Sequence, residues 1–262
     1  MKQLSVVGTL CAALCLPSLS AHAVLVDRGG GMLYDTVLNI TWLQDANYAK
    51  TSGYCSTAGT CTGGIYGESL YSGQMNWTQA NTWANNLNYG GYSSGWRLAR
   101  NTPVNGTQSG WNYDPTNDGT ADRGYNITST FSELSYMYYV NLSLKGAANP
   151  DGSSRSDYGV NGNGSSGGQK DVGLVRNLQS GVYWSSTAYA PAPAVSAWFF
   201  GTSDGHQDVL FQWGGYFAWA VRDGDVTVAA VPVPGSVALL AGGLALLGVV
   251  TRRRERSAEG KR

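Results

Sequence analysis

The chain has 262 residues with 17 basic and 17 acidic side chains, and this balance hides an uneven distribution. Residues 24–234 carry 10 Lys+Arg against 15 Asp+Glu, a net charge of −5, and most of the remaining basic residues lie in the C-terminal tail. An acidic region without a Lys/Arg stripe argues against nucleic acid as a partner, because phosphate backbones are bound through basic surfaces. A stretch of about 210 residues predicts one domain of ordinary size.

The first 23 residues have the composition of a secretory signal peptide. Lys2 supplies the positive start, residues 6–16 form an apolar stretch, and Ala21-His22-Ala23 resembles a cleavage site. We therefore expect residues 1–23 to be removed and the exported domain, residues 24–230, to begin at Val24.

The exported part contains two cysteines, Cys55 and Cys61, within "YCSTAGTCTGG". Disulfides persist outside the cytoplasm, and a five-residue spacer of small residues closes a short loop, so the sequence predicts a Cys55–Cys61 bridge. A metal site would need further His or Cys ligands, and a redox pair is more often spaced C-x-x-C.

Hydrophobic periodicity predicts strands first and then two helices. "MLYD" and "NITWLQD" flank residues 36–38 as an opening hairpin, with Leu33, Ile40 and Trp42 as core candidates. In "NWTQANTWANNL" the apolar residues recur at helical spacing after a cap near Asn76. The Thr130–Glu133 segment has a capping-box pattern and predicts a second helix through Leu142.

A segment rich in Gly, Ser, Asn and Asp follows over residues 146–173, and its composition predicts a long surface loop. Four aromatic and β-branched runs come after it: "GVYWSST", "VSAWFF", "QDVLFQW" and "YFAWAVR". They predict consecutive antiparallel strands, so the order of elements favours an α+β domain.

Several segments between residues 25 and 225 resemble the Lcl C-terminal domain family, a domain of unknown function in exported bacterial proteins. They are "DRGGGMLYDTVLNITWLQDANYA", "GGYSSGWRLAR", "TSTFSELSYMYYVNL", "LQSGVYWSSTAYAP" and "AWFFG…FAWAVRDGD". The resemblance implies a C-type lectin-like fold, in which two helices pack on a twisted antiparallel sheet and the N- and C-terminal strands lie close together. Ala99 and Arg100 depart from it, since related sequences tend to have proline after the leucine of "WRL".

Catalytic groups are sparse in the exported part. His206, in the turn "TSDGHQD", is its only histidine and hence the only candidate base for a triad. Asp204 with Asp208, or Asp223 with Asp225, are candidate carboxylate pairs for glycoside hydrolysis, which requires a defined separation across a sugar site. Solvated turn residues are the commoner role for such groups, so we expect a protein that is not an enzyme.

A calcium loop is a further candidate in "DPTNDGTAD". Asp114, Thr116, Asp118 and Asp122 stand at ligand positions of an EF-hand-like loop, with Gly119 at the sharp turn. Tyr125 occupies the position of the bidentate glutamate, so ordinary Asx turns are the alternative and no cofactor is expected otherwise.

Aromatic residues are abundant, with 9 tryptophans and 16 tyrosines. Trp42, Trp83, Trp184, Trp198 and Trp219 fall within predicted elements and should fill the core, whereas Trp111 and Trp213 lie closer to loops. If a glycan surface exists, the sequence points to an aromatic and polar set near the last strands: Tyr189, Asp204, His206, Gln207 and Trp213.

The C-terminal segment, residues 231–262, resembles the PEP-CTERM sorting signal. It combines a proline motif, a short apolar stretch at 237–250 and an arginine cluster. The motif residues are Val231, Pro232, Val233 and Pro234, and the cluster includes Arg252, Arg253 and Arg254. Fourteen helical residues span about 21 Å, less than the roughly 30 Å hydrocarbon core, so the stretch is short for a permanent anchor. The resemblance implies processing by an exosortase, and Val233 stands where a glutamate is expected; a plain one-pass anchor is the alternative.

These features together predict an exported protein that contacts the membrane only through its C-terminal helix before processing. Its expected location is the cell surface or the extracellular matrix, and its expected ligand is exopolysaccharide or a surface glycan. A secreted polysaccharide-acting enzyme and a purely structural matrix protein are the alternatives.

Overall fold

The computed structural model describes residues 24–56, 61, 72–107 and 109–226, and all of them belong to one compact unit. The predicted signal peptide and the predicted sorting signal lie outside the described residues. Within the described ranges, no helix is both long enough and apolar enough to cross a bilayer.

The first sheet has five antiparallel strands in the order β1-β2-β3-β10-β4. The strands are β1 (Leu25–Asp27), β2 (Met32–Asp35), β3 (Ile40–Leu43), β4 (Trp96–Leu98) and β10 (Ala220–Asp223). The β2–β3 turn is stabilised by the Asp35 carboxylate, which accepts hydrogen bonds from the backbone N–H of Val37 and Leu38, both 2.9 Å. The predicted opening hairpin is confirmed, and Leu33, Ile40 and Trp42 are buried.

Two short helical segments follow, α1 (Tyr48–Thr51) and a 3₁₀ turn (Tyr54–Ser56), and then the longer α2 (Trp77–Asn85). The cap predicted near Asn76 is confirmed: its side chain accepts from the backbone N–H of Gln79, and the Gln79 side chain accepts from the backbone N–H of Asn76. Ala80, Trp83 and Ala84 form the buried face of α2.

The second predicted helix is shorter than expected. It comprises α3 (Glu133–Tyr136) and a π-helical turn (Met137–Asn141). The predicted capping box does not form. The helix begins after Ser132 and not after Thr130; the Ser132 hydroxyl contacts Gln207, and the Glu133 carboxylate accepts hydrogen bonds from Arg97.

Most of residues 146–173 is irregular and exposed, as predicted, but the last part is a strand. β5 (Gln169–Val172) pairs with β6 (Val175–Gln179) as a two-stranded sheet. Because β5 is exposed along nearly its whole length, its sequence lacks the alternation that identifies a half-buried strand.

A third sheet contains β7 (Val182–Ala188), β8 (Ser196–Gly201) and β9 (Gln207–Phe211) in that order. Three of the four predicted C-terminal strands are therefore consecutive neighbours. The fourth, β10, leaves this sheet and pairs with β3 and β4 of the first sheet. Trp219 supports this position, because its indole Nε1–H donates to the Leu43 carbonyl at 2.7 Å.

The core is aromatic, with Trp42 and Trp219 in contact at a ring-centroid distance of 4.7 Å. All five tryptophans predicted to be buried are at most 3% exposed. The predicted disulfide is also confirmed: Cys55 and Cys61 are bonded, with Cα atoms 5.2 Å apart. The architecture is α+β, mostly antiparallel sheet with few short helices, and agrees with the predicted class.

Candidate functional site

The residues of the predicted glycan surface do not come together. Asp204 and His206 lie in the β8–β9 turn, whereas Trp213 follows the other end of β9. A five-residue strand separates the two ends by about 17 Å. Gln207 is 1% exposed, and its amide donates to the Asp122 carbonyl at 2.8 Å. Gln207 is therefore a structural residue of the interior and does not belong to a surface.

Two of the candidate calcium carboxylates, Asp118 and Asp122, have local hydrogen-bond partners. The Asp122 carboxylate is buried and accepts from the backbone N–H of Val104 and Asn112, at 2.7 and 2.6 Å. The Asp118 carboxylate accepts from the N–H and the hydroxyl of Thr120, which is an Asx-turn arrangement. Among the described residues, no three His, Cys, Asp or Glu side chains are grouped so that they could hold a metal ion.

A large cleft lies between the first and third sheets, with a volume of about 690 Å³. It is bounded by chain segments that are far apart in the sequence: 37–38, 100–103, 106–107, 111, 130–131 with 133, and 186–187. The strand-like segments 100–102 and 131–133 run side by side, since Thr102 N–H donates to the Phe131 carbonyl at 2.8 Å and Glu133 N–H to the Arg100 carbonyl at 3.2 Å. We call this feature the Asn101 cleft.

Asn101 is the unusual residue of the cleft. Its backbone is well bonded, because its N–H donates to the Thr187 hydroxyl at 3.0 Å and its carbonyl accepts from the same hydroxyl at 2.8 Å. Its side chain is different: Asn101 is 2% exposed, and neither the amide nitrogen nor the amide oxygen has a hydrogen-bond partner among the described residues. Leaving such a group unpaired costs about 1–3 kcal/mol, so the position requires an explanation.

Aromatic rings form the adjacent wall. Trp111 lines the cleft and stacks on the fully buried Trp198, with ring centroids 4.9 Å apart and an interplanar angle of 19°. Tyr113 lies beside both rings at 6.2 Å, again nearly parallel. Phe131 lies on another wall and is 43% exposed. The cleft thus combines flat apolar faces with an unpaired amide.

The charged groups of the cleft are already paired. Both oxygens of the buried Glu133 carboxylate accept from Arg97, at 2.8 and 2.9 Å, and one also accepts from the Arg100 N–H at 2.8 Å. Arg97 further contacts Asp223 at 2.5 Å. Burial lowers the pKa of Arg97, but its bonds to Glu133 and Asp223 outweigh this effect and raise the pKa. For Asp223 the two effects have opposite signs: burial raises the pKa of its carboxyl group, and the bond from Arg97 lowers it. The bond outweighs burial, so the pKa of Asp223 is lowered.

A second cleft of about 500 Å³ is lined mainly by Gly, Ser and Gln, with Tyr216 and Phe217. Its buried glutamines have partners: Gln74 accepts from the Ser72 hydroxyl, and the Gln179 amide donates to the Asn177 carbonyl. The Asn101 cleft is therefore the better candidate, because its buried polar group is unpaired.

Comparison with known proteins adds no relative. No family model matches the chain, and no curated protein or solved structure matches it either. The resemblance to the Lcl C-terminal domain family stays a prediction from the quoted motifs.

Sequence reasoning did not find Asn101, Phe131 or the role of Trp111. The sequence contains a weak indication for Trp111: it lies in a polar loop, where it does not belong to the buried face of a helix or strand. Asn101 carried none, because the lack of a partner depends on how segments 131–133 and 186–187 pack around it.

Proposed function

We propose that this chain is an exported, non-catalytic carbohydrate-binding protein with a C-type lectin-like fold, and that it associates with exopolysaccharide or surface glycans through the Asn101 cleft. The observation that carries the proposal is the buried, unpaired Asn101 amide in a cleft that Trp111 also lines. A pyranose has an apolar C–H face, which packs on an aromatic ring, and hydroxyl groups that both donate and accept. A primary amide also both donates and accepts, so it complements a pair of neighbouring hydroxyls.

The fold and the chain ends support the same proposal. The N-terminal strand β1 and the C-terminal strand β10 belong to one sheet, with β2 and β3 between them, and the lectin-like resemblance implies terminal strands that lie near each other. The predicted signal peptide and sorting signal would place the domain where extracellular polysaccharide is present. The carboxylate that lines the cleft, Glu133, already has both oxygens engaged by Arg97, and this favours binding over acid–base chemistry.

The test is binding of the purified full-length chain to immobilised neutral and acidic polysaccharides and to a glycan array. We expect Asn101→Leu and Trp111→Ala each to weaken binding by about tenfold or more, the equivalent of one good polar or stacking contact. His206→Ala serves as the control, because it alters the turn at the far end of β9 and should leave binding unchanged.

Asn101→Leu has a second expected effect that separates a binding role from a structural one. Leucine has a similar size and no polar atoms, so the variant removes an unpaired buried amide. Its free energy of unfolding should equal the parent's or exceed it by up to about 2 kcal/mol, measured by urea denaturation. A strongly destabilised Asn101→Leu variant would indicate a structural amide instead.

Three results would overturn the proposal. Loss of binding in His206→Ala alone would move the site to the β8–β9 turn. Absence of binding by the parent to every polysaccharide would favour a purely structural matrix protein. Release of reducing ends that disappears in Asp204→Asn or Asp208→Asn would identify a polysaccharide-acting enzyme.

A further inference from the structure

An exposed aromatic pair lies outside both clefts. Phe211 and Trp213 are 53% and 68% exposed, and their rings stack with centroids 6.0 Å apart and an interplanar angle of 13°. Val195, also exposed, adjoins them, because its carbonyl accepts from the Gln212 N–H at 2.9 Å. Three of the five exposed large apolar side chains of the described residues therefore share one place, whereas scattered single ones are ordinary. We call Phe211 and Trp213 the aromatic platform.

The backbone that carries the platform is tied down on two sides. The Gln212 amide donates to the carbonyls of Pro193 and Ser196, at 2.9 and 3.1 Å. On the other side, the Trp77 N–H at the start of α2 donates to the Gln212 carbonyl at 2.9 Å. An ordered aromatic surface of this kind loses little conformational entropy when a ligand packs on it.

The platform lies on the same face of the third sheet as the cleft wall. Phe211 is directly opposite Ser196, and Trp198 is two residues further along β8, so the three side chains share a face. Trp111 stacks on that face through Trp198. Thr187 of β7 lines the cleft, and β8 lies between β7 and β9. The strand that carries Phe211 is therefore two strand spacings, about 10 Å, from the strand that carries Thr187.

The surroundings of the platform restrict what can bind there. Residues 187–203 and 209–221 contain no Asp, Glu, Lys or Arg, so the segments that carry the platform offer an ionic partner no complementary charge. Three exposed side chains also provide far less than the roughly 800 Å² per partner of a stable protein interface. A sugar ring needs only one aromatic face, and it is the occupant that this small neutral surface fits.

We infer that the aromatic platform is a second subsite for the same neutral polysaccharide chain that the Asn101 cleft binds, so that one polymer contacts both. This inference rests on the proposed function. An oligosaccharide long enough to reach both the Asn101 cleft and the aromatic platform makes the second contact intramolecularly, once the first has formed. Affinity should therefore increase with oligosaccharide length.

The experiment measures binding of cello-, malto- and galactomanno-oligosaccharides of graded length to the full-length chain. Short fragments should bind the parent and Trp213→Ala equally well. Long fragments should bind the parent about tenfold more tightly than Trp213→Ala. Trp213→Phe keeps an aromatic ring and should restore most of the difference, whereas Trp111→Ala should weaken fragments of every length.

Equal affinity of the parent and Trp213→Ala for long fragments would overturn the second subsite while leaving the cleft in place. A concentration-dependent dimer of the parent that Trp213→Ala abolishes would assign the platform to self-association. If the parent bound no fragment of any length, the failure would be that of the proposed function itself.

Discussion

Asn101 and Asp204 are polar residues at positions where burial is costly, but only one of them has a partner for its side chain. The Asp204 carboxylate accepts a hydrogen bond from the His206 N–H at 3.0 Å, which stabilises the β8–β9 turn. The Asn101 amide has none among the described residues. A local conflict of this kind between polarity and burial is expected at functional sites, and it is the reason why we propose the ligand site at Asn101.

Asp204 gives a prediction for pH dependence. Burial raises the pKa of its carboxyl group, and the bond from His206 only partly offsets this. The folded state therefore binds this proton more tightly than the unfolded state, so this residue's contribution to stability falls as the pH rises from about 4 through the raised pKa. Asp204→Asn keeps an acceptor oxygen for His206 and removes the charge.

We expect the free energy of unfolding of Asp204→Asn at pH 7 to equal or exceed the parent's, and the difference to vanish at pH values below the window. Urea denaturation at a series of pH values measures it. Asp114→Asn, which changes an exposed aspartate, is the control and should follow the parent throughout. A variant less stable than the parent at every pH would show that the Asp204 charge is stabilising.

At the scale of elements, one ion-pair network joins three pieces of chain. Arg97 of β4 bonds to Glu133 of α3 and to Asp223 of β10, and the Glu133 carboxylate also accepts the Arg100 N–H. Removing one partner of a buried pair is strongly destabilising, and Arg97→Met leaves Glu133, among the described residues, only the half-exposed Arg100 at 3.3 Å, so the change should cost about 3 kcal/mol of folding free energy.

The double variant Arg97→Met/Glu133→Leu should be more stable than Arg97→Met alone, because it removes both buried charges. Lys145→Met provides the control: it breaks the exposed Lys145–Asp157 pair and should leave the free energy of unfolding nearly unchanged. Thermal and urea unfolding measure all of them. If the destabilisation of the double variant equalled the sum for Arg97→Met and Glu133→Leu measured singly, the two side chains would not stabilise each other.

Helices and strands could be predicted from the sequence where the residues that determine them are close together in the chain. α2 is such a case, since Asn76 and Gln79 cap it and its apolar residues have helical spacing. α3 is not, because the predicted box of Thr130 and Glu133 does not form: the helix begins only at Glu133, and the Glu133 carboxylate binds Arg97 from another part of the chain. Tertiary contacts outweigh a cap whose contribution is about 1 kcal/mol.

At the scale of the whole molecule, we expect the disulfide to add a small part of the folding stability and the aromatic core to supply most of it. The Cys55–Cys61 bond closes a short loop, and loop-closure entropy predicts a contribution of about 2 kcal/mol. We expect reduction, or the Cys55→Ala/Cys61→Ala variant, to lower the free energy of unfolding by that amount and to leave near-ultraviolet circular dichroism from the buried tryptophans unchanged. Loss of that signal on reduction would mean that the bridge is required for folding.

The α+β class, the buried tryptophans and the disulfide could be predicted, because each depends on residue type and nearby spacing. Two features could not. The partners of β10 are decided by Trp219 and Leu43, 176 positions apart. The Asn101 cleft is assembled from six separate segments, so no local pattern indicates it.

The place of β10 in the first sheet has a consequence for when the protein can fold. Its two neighbours, β3 and β4, precede it by more than 120 residues, and among the described strands they are not paired with each other but are bridged by β10. A chain that emerges from its N-terminus has no bridge between these strands until residues 220–223 have appeared, and pairing over such distances is slow. The first sheet therefore cannot be completed until nearly all of residues 24–226 have been synthesised.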